Sequence, residues 1–153
     1  MTGDIRSAGP EDLAAVEAIV QSAYARYITL IGRKPGPMLD DYETLIGQGH
    51  VYVLSDEGGI SGILVLIPEE RAMLLDNVAI RPDAQGRGHG RTLIGFAERM
   101  ARERGLGAIR LYTNEAMIEN VALYGRLGFV ETHRAEEYGF RRVYMMKLLD
   151  APS

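Results

Sequence analysis

The sequence contains no cysteine and no tryptophan, and it has only three histidines among 153 residues. Without cysteine there is no disulfide, no thiolate nucleophile and no cysteine-ligated zinc site. The histidines His50, His89 and His133 lie far apart in the chain, so we predict no metal site. The longest apolar run, residues 63–67, is too short to cross a bilayer, and residues 1–6 lack a signal-peptide pattern. We therefore predict a cytoplasmic protein without a membrane partner.

The sequence also lacks an excess of positive charge. Lysine and arginine total 17 against 21 aspartates and glutamates, which gives a net charge of −4. A general nucleic-acid binder usually carries a basic surplus, so we predict no nucleic-acid partner. The length fits one domain over residues 1–153, large enough to bury a core without a staple.

Apolar periodicity predicts a protein of the α/β (α+β) class with alternating groups of helices and strands. A nearly all-apolar strand at 73–80, a helix at 90–104 and a strand at 108–113 form a βαβ unit with parallel strands. The segment 24–37 carries no clear pattern. The remaining strands are predicted at 4–6, 51–54, 60–67, 129–132 and 143–148, and the remaining helices after Pro10, at 39–46 and at 118–127.

The most informative segment is a glycine-rich turn between the predicted strand 73–80 and the helix that follows it. Alternating glycines let backbone N–H groups approach an anion, and the start of a helix adds further unpaired donors. This pattern predicts a phosphate-binding turn, although a purely structural strand-to-helix turn remains an alternative. Its spacing fits neither a P-loop nor a dinucleotide-binding fingerprint. The turn consists of Gln85, Gly86, Arg87, Gly88, His89, Gly90 and Arg91.

Two motifs resemble the GNAT superfamily of N-acetyltransferases. Residues 85–90 match its Gln/Arg-x-x-Gly-x-Gly/Ala signature, and residues 123–129 are similar to its Leu-Tyr-x-x-x-Gly-Phe segment. The resemblance implies a single GNAT-like domain with a central mixed, mostly antiparallel sheet of about six to seven strands, one parallel βαβ unit and flanking helices. It also implies an enzyme that transfers acetyl from acetyl-CoA directly to an amine through a ternary complex.

The resemblance assigns roles to several residues. The glycine-rich turn would bind the coenzyme A diphosphate, and the strand edge at Val78, Ala79 and Ile80 would bind the pantetheine arm. Tyr124 matches the tyrosine that protonates the departing thiolate, although a packed aromatic residue is the alternative. Asp76 is our candidate general base because a carboxylate in an apolar strand is costly unless it is used or paired. A structural aspartate or a water chain is equally compatible with the sequence.

One position departs from the family pattern. Met117 stands where many relatives carry an asparagine that contacts pantetheine. Asn120, which shares a helix face with Tyr124, and less firmly Asn114 are our candidate substitutes. Capping or turn formation is the commoner task of asparagine and stays open for both residues.

The acceptor is less well defined than the donor. In this family the first helices contribute to acceptor specificity, and here they hold Tyr24, Tyr27, Met38 and Tyr42. Aromatic groups suit an amine, although buried tyrosines are the plainer interpretation. A small-molecule amine, a peptide N-terminus and a lysine side chain all remain possible acceptors, and a homodimer is possible. A non-catalytic acyl-CoA binding or sensing module is the alternative function, and another nucleotide-phosphate binder ranks below it.

Overall fold

The computed structural model describes residues 4–149, which divide into two compact units. The first unit contains residues 4–66 and 77–95, and the second contains residues 67–76 and 96–149. The helices are α1 (Leu13–Tyr24), α2 (Tyr27–Ile31), α3 (Tyr42–Gly47), α4 (His89–Glu103) and α5 (Ile118–Arg126). The strands are β1 (Asp4–Ser7), β2 (Val51–Asp56), β3 (Gly59–Pro68), β4 (Met73–Ile80), β5 (Ala108–Asn114), β6 (Val130–Glu137) and β7 (Phe140–Leu148).

The strands form one seven-stranded sheet in the order β1-β2-β3-β4-β5-β7-β6. Strands β1, β2 and β3 pair antiparallel, as do β5 with β7 and β6 with β7. The exception is β4, which pairs in parallel with β5 through Met73 with Ile109 and Leu74 with Arg110. This mixed sheet with one parallel pair confirms the predicted fold class.

The first unit is organised around α1 and the strands β2 and β3. Val16 and Val20, one helical turn apart on α1, are fully buried, as are Val53 and Leu64. Burial of such side chains stabilises the fold by about 1.5–3 kcal/mol each. The start of α1 is fixed by Asp12, whose Oδ2 accepts hydrogen bonds from the Gly9 N–H and from Arg6 Nη1, both at 2.8 Å.

The second unit contains α5, most of α4 and the hairpin β6–β7. Leu111 on β5 and Val143 on β7 are buried in its core. Lys147 on β7 donates to the Leu127 carbonyl oxygen at 2.8 Å, and its Nζ lies 2.8 Å from Glu98 Oε1 on α4. These contacts attach α4 and the C-terminal end of α5 to the last strand. Within residues 4–149, no helix is long and apolar enough to cross a membrane.

Several predicted elements differ from the structure, and the strand predicted at 129–132 extends to Glu137. The helix predicted at 39–46 begins at Tyr42, because Asp41 caps it by accepting a hydrogen bond from the Thr44 N–H at 3.1 Å. The last strand begins at Phe140 instead of 143, since the tight turn before it includes Tyr138, with φ of 54°, and Gly139. Helix α2 lies in the segment without a clear pattern and ends at Gly32, with φ of 86°.

Candidate active site

The glycine-rich turn joins β4 to α4 in the first unit. Gly86 and Gly88 both have φ of 81°, a left-handed conformation that side chains other than glycine adopt only with strain. No atom lies within 4 Å of where a Cβ would stand at either residue. The Gly88 carbonyl accepts the first hydrogen bond of α4, from the Thr92 N–H at 3.0 Å. The backbone N–H groups of the first turn of α4 therefore have the arrangement that binds anions at helix N-termini.

The polar side chains of the turn hold the turn itself. Gln85 Nε2 donates to the Ile80 carbonyl at 3.3 Å, and Arg87 Nη2 donates to the Asp83 carbonyl at 3.3 Å. Both bonds are exposed to solvent, and Arg91 is also exposed. His89 differs because its side chain is buried, 8% exposed, so that only its backbone belongs to the surface of the turn.

The predicted pantetheine edge is the second half of β4. Ala79 is buried, whereas Val78 and Ile80 are half-buried. The carbonyl oxygen of Val78 lies 3.1 Å from the Tyr24 hydroxyl. One backbone group of the predicted edge is thus already occupied by a protein partner.

The four predicted acceptor residues are buried in the first unit. The Tyr24 hydroxyl donates to Asn77 Oδ1 at 2.5 Å, and Asn77 Nδ2 donates to the Tyr42 hydroxyl at 2.9 Å. Tyr42 in turn donates to the Pro37 carbonyl at 2.5 Å. Tyr27 and Met38 are 5% and 9% exposed, and the Tyr27 hydroxyl accepts from Arg26 Nη2 at 2.8 Å. Burial and internal hydrogen bonding favour the packing interpretation for this set.

Asn77 is a residue that the sequence reasoning missed. It is 3% exposed and joins two tyrosines that come from α1 and α3. A second polar residue beside Asp76 in an apolar strand was the available signal.

Tyr124 lies on α5 in the second unit. Its side chain is buried, and its ring contacts Phe129 edge-on with centroids 5.7 Å apart. Within residues 4–149, the Tyr124 hydroxyl has no hydrogen bond to another protein group. Burial raises the pKa of the phenol above its ordinary value, so the hydroxyl keeps its proton at neutral pH.

The residues around the family's asparagine position lie in the same unit. Met117 is buried, and its Sδ accepts weak hydrogen bonds from Asn120 Nδ2 at 3.6 Å and from Thr113 Oγ1 at 3.5 Å. Asn114 Oδ1 accepts a hydrogen bond from the Ala116 N–H at 2.9 Å, and this bond closes a turn. This bond gives Asn114 the structural task that the sequence left open. Asn120 is half-buried beside the methionine.

Asp76 is half-buried on β4. Leu74 pairs with Arg110 on β5, so the two-residue period of a strand places Asp76 on the sheet face that carries Arg110 and Tyr112. Arg110 makes a bidentate contact with Glu69, at 2.5 Å through Nε and 2.8 Å through Nη2. The Arg110 guanidinium holds the pKa of the Glu69 carboxyl below its usual range. The candidate base thus lies on a polar face of the second unit.

The same face carries an aromatic cluster across β5, β7 and β6. Tyr144 lies 5.6 Å from Tyr112 and stacks on His133 at 4.3 Å between ring centroids. The Arg142 guanidinium lies 4.2 Å from the Tyr112 ring centre, and Glu137 accepts a hydrogen bond from the Tyr144 hydroxyl at 2.6 Å. These cross-strand pairs give the last hairpin a defined register.

Comparison with known proteins decides the family. Residues 47–131, more than half of the chain, match the family described as the acetyltransferase (GNAT) domain. The chain belongs to the GNAT acetyltransferase family. The matched segment includes both the glycine-rich turn and Tyr124, so the two motifs that predicted this GNAT domain lie inside it. The predicted family is confirmed.

Solved structures share the GNAT fold over nearly the whole chain. The ribosomal-protein-S18-alanine N-acetyltransferase from Escherichia coli superposes with a TM-score of 0.78 at 22% identity, covering 99% of this chain and 97% of that one. The PaiA N-acetyltransferase from Thermoplasma acidophilum, solved in complex with coenzyme A, gives 0.80 at 16% identity, covering 97% and 99%. At these identities the likeness establishes the fold.

Curated relatives match over a shorter segment. The mycothiol acetyltransferase of Rhodococcus opacus is 46% identical over 61 residues, which is 40% of this chain and 20% of that protein. The relative from Rhodococcus jostii matches to the same extent. The match thus spans about a fifth of the length of these relatives.

Proposed function

We propose that this GNAT domain, spanning residues 1–153, transfers an acetyl group from acetyl-CoA directly to an amine within a ternary complex. The observation that carries the proposal is the pair of left-handed glycines, Gly86 and Gly88, immediately before the N-terminus of α4. Their conformation leaves open space on a backbone rich in N–H donors, which suits a diphosphate. Exposed guanidinium groups of Arg87 and Arg91 add charge-assisted contacts with phosphate.

The proposed reaction needs no covalent enzyme intermediate. The nitrogen of the amine attacks the thioester carbonyl, a C–N bond forms, and the C–S bond breaks. Asp76 accepts the proton of the amine, directly or through water, and Tyr124 donates a proton to the departing sulfur. The backbone N–H of Val78 stabilises the oxyanion that develops on the carbonyl. The roles of Tyr124 and Val78 rest on the family resemblance of the motif positions, whereas the role of Asp76 rests on its carboxylate in an otherwise apolar strand.

The environment of Tyr124 supports its role as the acid. A proton donor must hold its proton until the sulfur leaves, and burial keeps this phenol neutral. A donor must also have its hydroxyl available for substrate, and this hydroxyl has no hydrogen-bond partner among the described residues. The second property distinguishes Tyr124 from the hydrogen-bonded tyrosines of the first unit.

The acceptor is proposed only as an amine. The curated relatives are named mycothiol acetyltransferases. A panel of candidate acceptors should therefore contain the substrate of such an enzyme together with small amines, peptide N-termini and lysine peptides. Roles in acceptor binding stay predictions for four residues that are buried in the first unit, namely Tyr24, Tyr27, Met38 and Tyr42. Cytoplasmic location and a homodimer also stay predictions.

Two measurements test the proposal together. Calorimetry measures binding of coenzyme A, and release of the free thiol measures turnover of acetyl-CoA with each amine of the panel. We expect saturable binding and amine-dependent thiol release. Binding without turnover on the whole panel would favour the non-catalytic acyl-CoA module. Absence of binding, or competition by ATP or NAD, would contradict the assignment of acetyl-CoA as the donor.

A further inference from the structure

A cavity of about 550 Å³ lies behind the glycine-rich turn, within the first unit. Its wall combines the turn between β2 and β3 with residues that precede and begin α4. The charged groups that line it are Asp4, Asp56, Glu57, Arg81, Arg87 and His89. Among these residues the proposed function uses only Arg87, and it gives no task to the side chains of Asp56 and His89.

His89 is the unusual member of this wall. It is the first residue of α4, and its side chain is 8% exposed. Its Nε2 atom is buried and makes no hydrogen bond to any residue in the range 4–149. A buried polar atom without a partner costs about 1–3 kcal/mol, so a favourable interaction with a nearby charge is needed to offset that cost.

Asp56 is the charge that faces His89. Its Oδ2 lies 3.7 Å from His89 Nε2, which is beyond hydrogen-bond distance but within the ion-pair distance that applies when the imidazole is protonated. The other oxygen, Oδ1, accepts a hydrogen bond from the Gly58 N–H at 2.8 Å. This bond fixes the carboxylate on the β2–β3 turn and aims its second oxygen at the histidine.

Arg81 joins the same two regions on the other side of the glycine-rich turn. Its Nη1 donates to the Ile60 carbonyl at 3.0 Å, and its Nε lies 2.5 Å from Asp83 Oδ1. The Gly58 N–H and the charges of Arg81 and His89 hold the pKa of the Asp56 carboxyl below its usual range. The start of β3 is thus connected to the chain just before the glycine-rich turn, and Asp56 is connected to the residue just after it.

We propose that Asp56 is a positioning residue for donor binding, acting through the imidazole of His89. By holding the first residue of α4, Asp56 fixes the helix N-terminus whose N–H groups meet the diphosphate of coenzyme A. The inference rests on the proposed function, because it concerns how the same phosphate-binding turn is held. Asp56 itself touches neither the acetyl group nor the acceptor, so its effect is confined to ligands that carry the diphosphate.

The variant that tests the inference is Asp56→Asn, which keeps the size and the hydrogen bond to Gly58 and removes the charge. The matched control is Glu57→Gln, which removes a charge from an exposed neighbour on the same cavity wall. By calorimetry we expect the Kd of coenzyme A to rise about 10-fold in Asp56→Asn and to stay within about 2-fold of wild type in Glu57→Gln. Asp56→Glu, which restores a carboxylate, should recover part of the affinity.

Two further readouts separate positioning from general damage. In turnover, Asp56→Asn should raise KM for acetyl-CoA with kcat nearly unchanged, and it should leave kcat/KM for S-acetyl-pantetheine, which lacks the diphosphate, at the wild-type value. In a double-mutant cycle, Asp56→Asn should have little further effect on the Kd of coenzyme A once His89→Phe has removed its partner. Thermal unfolding of each variant checks that it is folded.

Three results would overturn the inference. They are an unchanged Kd of coenzyme A in Asp56→Asn, an equal loss in Glu57→Gln, and effects of Asp56→Asn and His89→Phe that simply multiply. These outcomes differ from failure of the proposed function, in which wild-type protein itself does not bind coenzyme A. The binding arm needs no acceptor, so the inference is testable before the amine is identified.

Discussion

The buried tyrosines of the first unit and Tyr124 of the second unit differ in the hydrogen bonds that their hydroxyls make. In the first unit Tyr24 and Tyr42 are joined through Asn77, and each hydroxyl has protein partners at hydrogen-bond distance. In the second unit Tyr124 is equally buried, yet its hydroxyl has no such partner within residues 4–149. A hydroxyl whose hydrogen bonds are made within the protein stabilises the fold, whereas one without a protein partner is available to a substrate.

The comparison also separates two sources of evidence. All of these tyrosines were candidates for the site from the sequence, on the basis of residue type and position in the family pattern. Only the hydrogen-bond partners distinguish a phenol that fastens α1 and α3 to β4 from one that can act on a thiolate.

Tyr124→Phe should reduce kcat for acetyl transfer by about 10² or more, because it removes the proposed proton donor and nothing else. The ring and its edge-on contact with Phe129 remain, so the thermal unfolding midpoint should stay close to that of wild type. Thiol release on the best amine of the panel measures the rate. Equal turnover by variant and wild type would show that Tyr124 is a packing residue like the others.

Asn77→Ala should have the opposite signature. It leaves the hydroxyls of Tyr24 and Tyr42 without their shared partner inside the first unit. We expect a loss of about 2–4 kcal/mol in the free energy of unfolding, measured by urea denaturation. A loss below about 0.5 kcal/mol would mean that the Tyr24–Asn77–Tyr42 cluster does not hold the unit together, which removes one side of the comparison.

Gly88→Ala extends the comparison from side chains to backbone. At φ of 81° an alanine costs about 1–2 kcal/mol, so the turn either strains or moves, and affinity for coenzyme A should fall about 5- to 20-fold. Gly95→Ala is the control, because Gly95 lies within α4 with open space at its Cβ position and alanine there favours the helix. Calorimetry with coenzyme A should therefore show unchanged affinity for Gly95→Ala. Similar losses in both variants would contradict the importance of the left-handed turn.

Asp12→Asn is expected to have the smallest effect, and it depends on pH. Arg6 and the Gly9 N–H hold the pKa of the Asp12 carboxyl below its usual range. The stabilisation is therefore present above the carboxyl's unfolded pKa of about 3.9 and is lost as the pH falls through the lower folded value. Urea denaturation at pH 3 to 7 should show that the free energy of unfolding of the variant is about 1 kcal/mol below that of wild type at neutral pH. It should also show that this free energy falls less steeply in the variant as the pH is lowered. Identical pH dependence in variant and wild type would contradict this assignment.

Much of the fold was predictable because its elements carry strong local signals. The nearly all-apolar run of β4 and the helical spacing of Leu93, Ile94, Ala97 and Ala101 on α4 placed the βαβ unit correctly. Helix α2 could not be predicted, since its five residues carry no capping signal and Tyr27 is held by burial in the unit around it. The start of α3 depended on whether Asp41 caps it, a question of side-chain geometry.

The candidate site was predictable where one residue type alone can do the task. Gly86 and Gly88 have left-handed φ values that favour glycine, so the sequence pattern pointed directly to the turn. The roles of Asn77, Asp56 and His89 were not predictable, because they depend on partners that are distant in the sequence. The tyrosines that bind Asn77 are at least 35 residues away from it, and Asp56 and His89 are 33 residues apart. A polar residue in an apolar stretch of sequence indicates that it has a partner, but only the folded structure shows which residue that partner is.

The account depends most on the claim that the backbone N–H groups of residues 86–91 bind the diphosphate of the acetyl donor. Titration of ¹⁵N-labelled protein with coenzyme A, followed by amide resonances, tests this claim directly. The amides of Gly86, Gly88 and His89 should shift strongly with coenzyme A and stay in place with pantetheine, which lacks the diphosphate. Strong shifts elsewhere in the chain, with these three amides unmoved, would contradict the account.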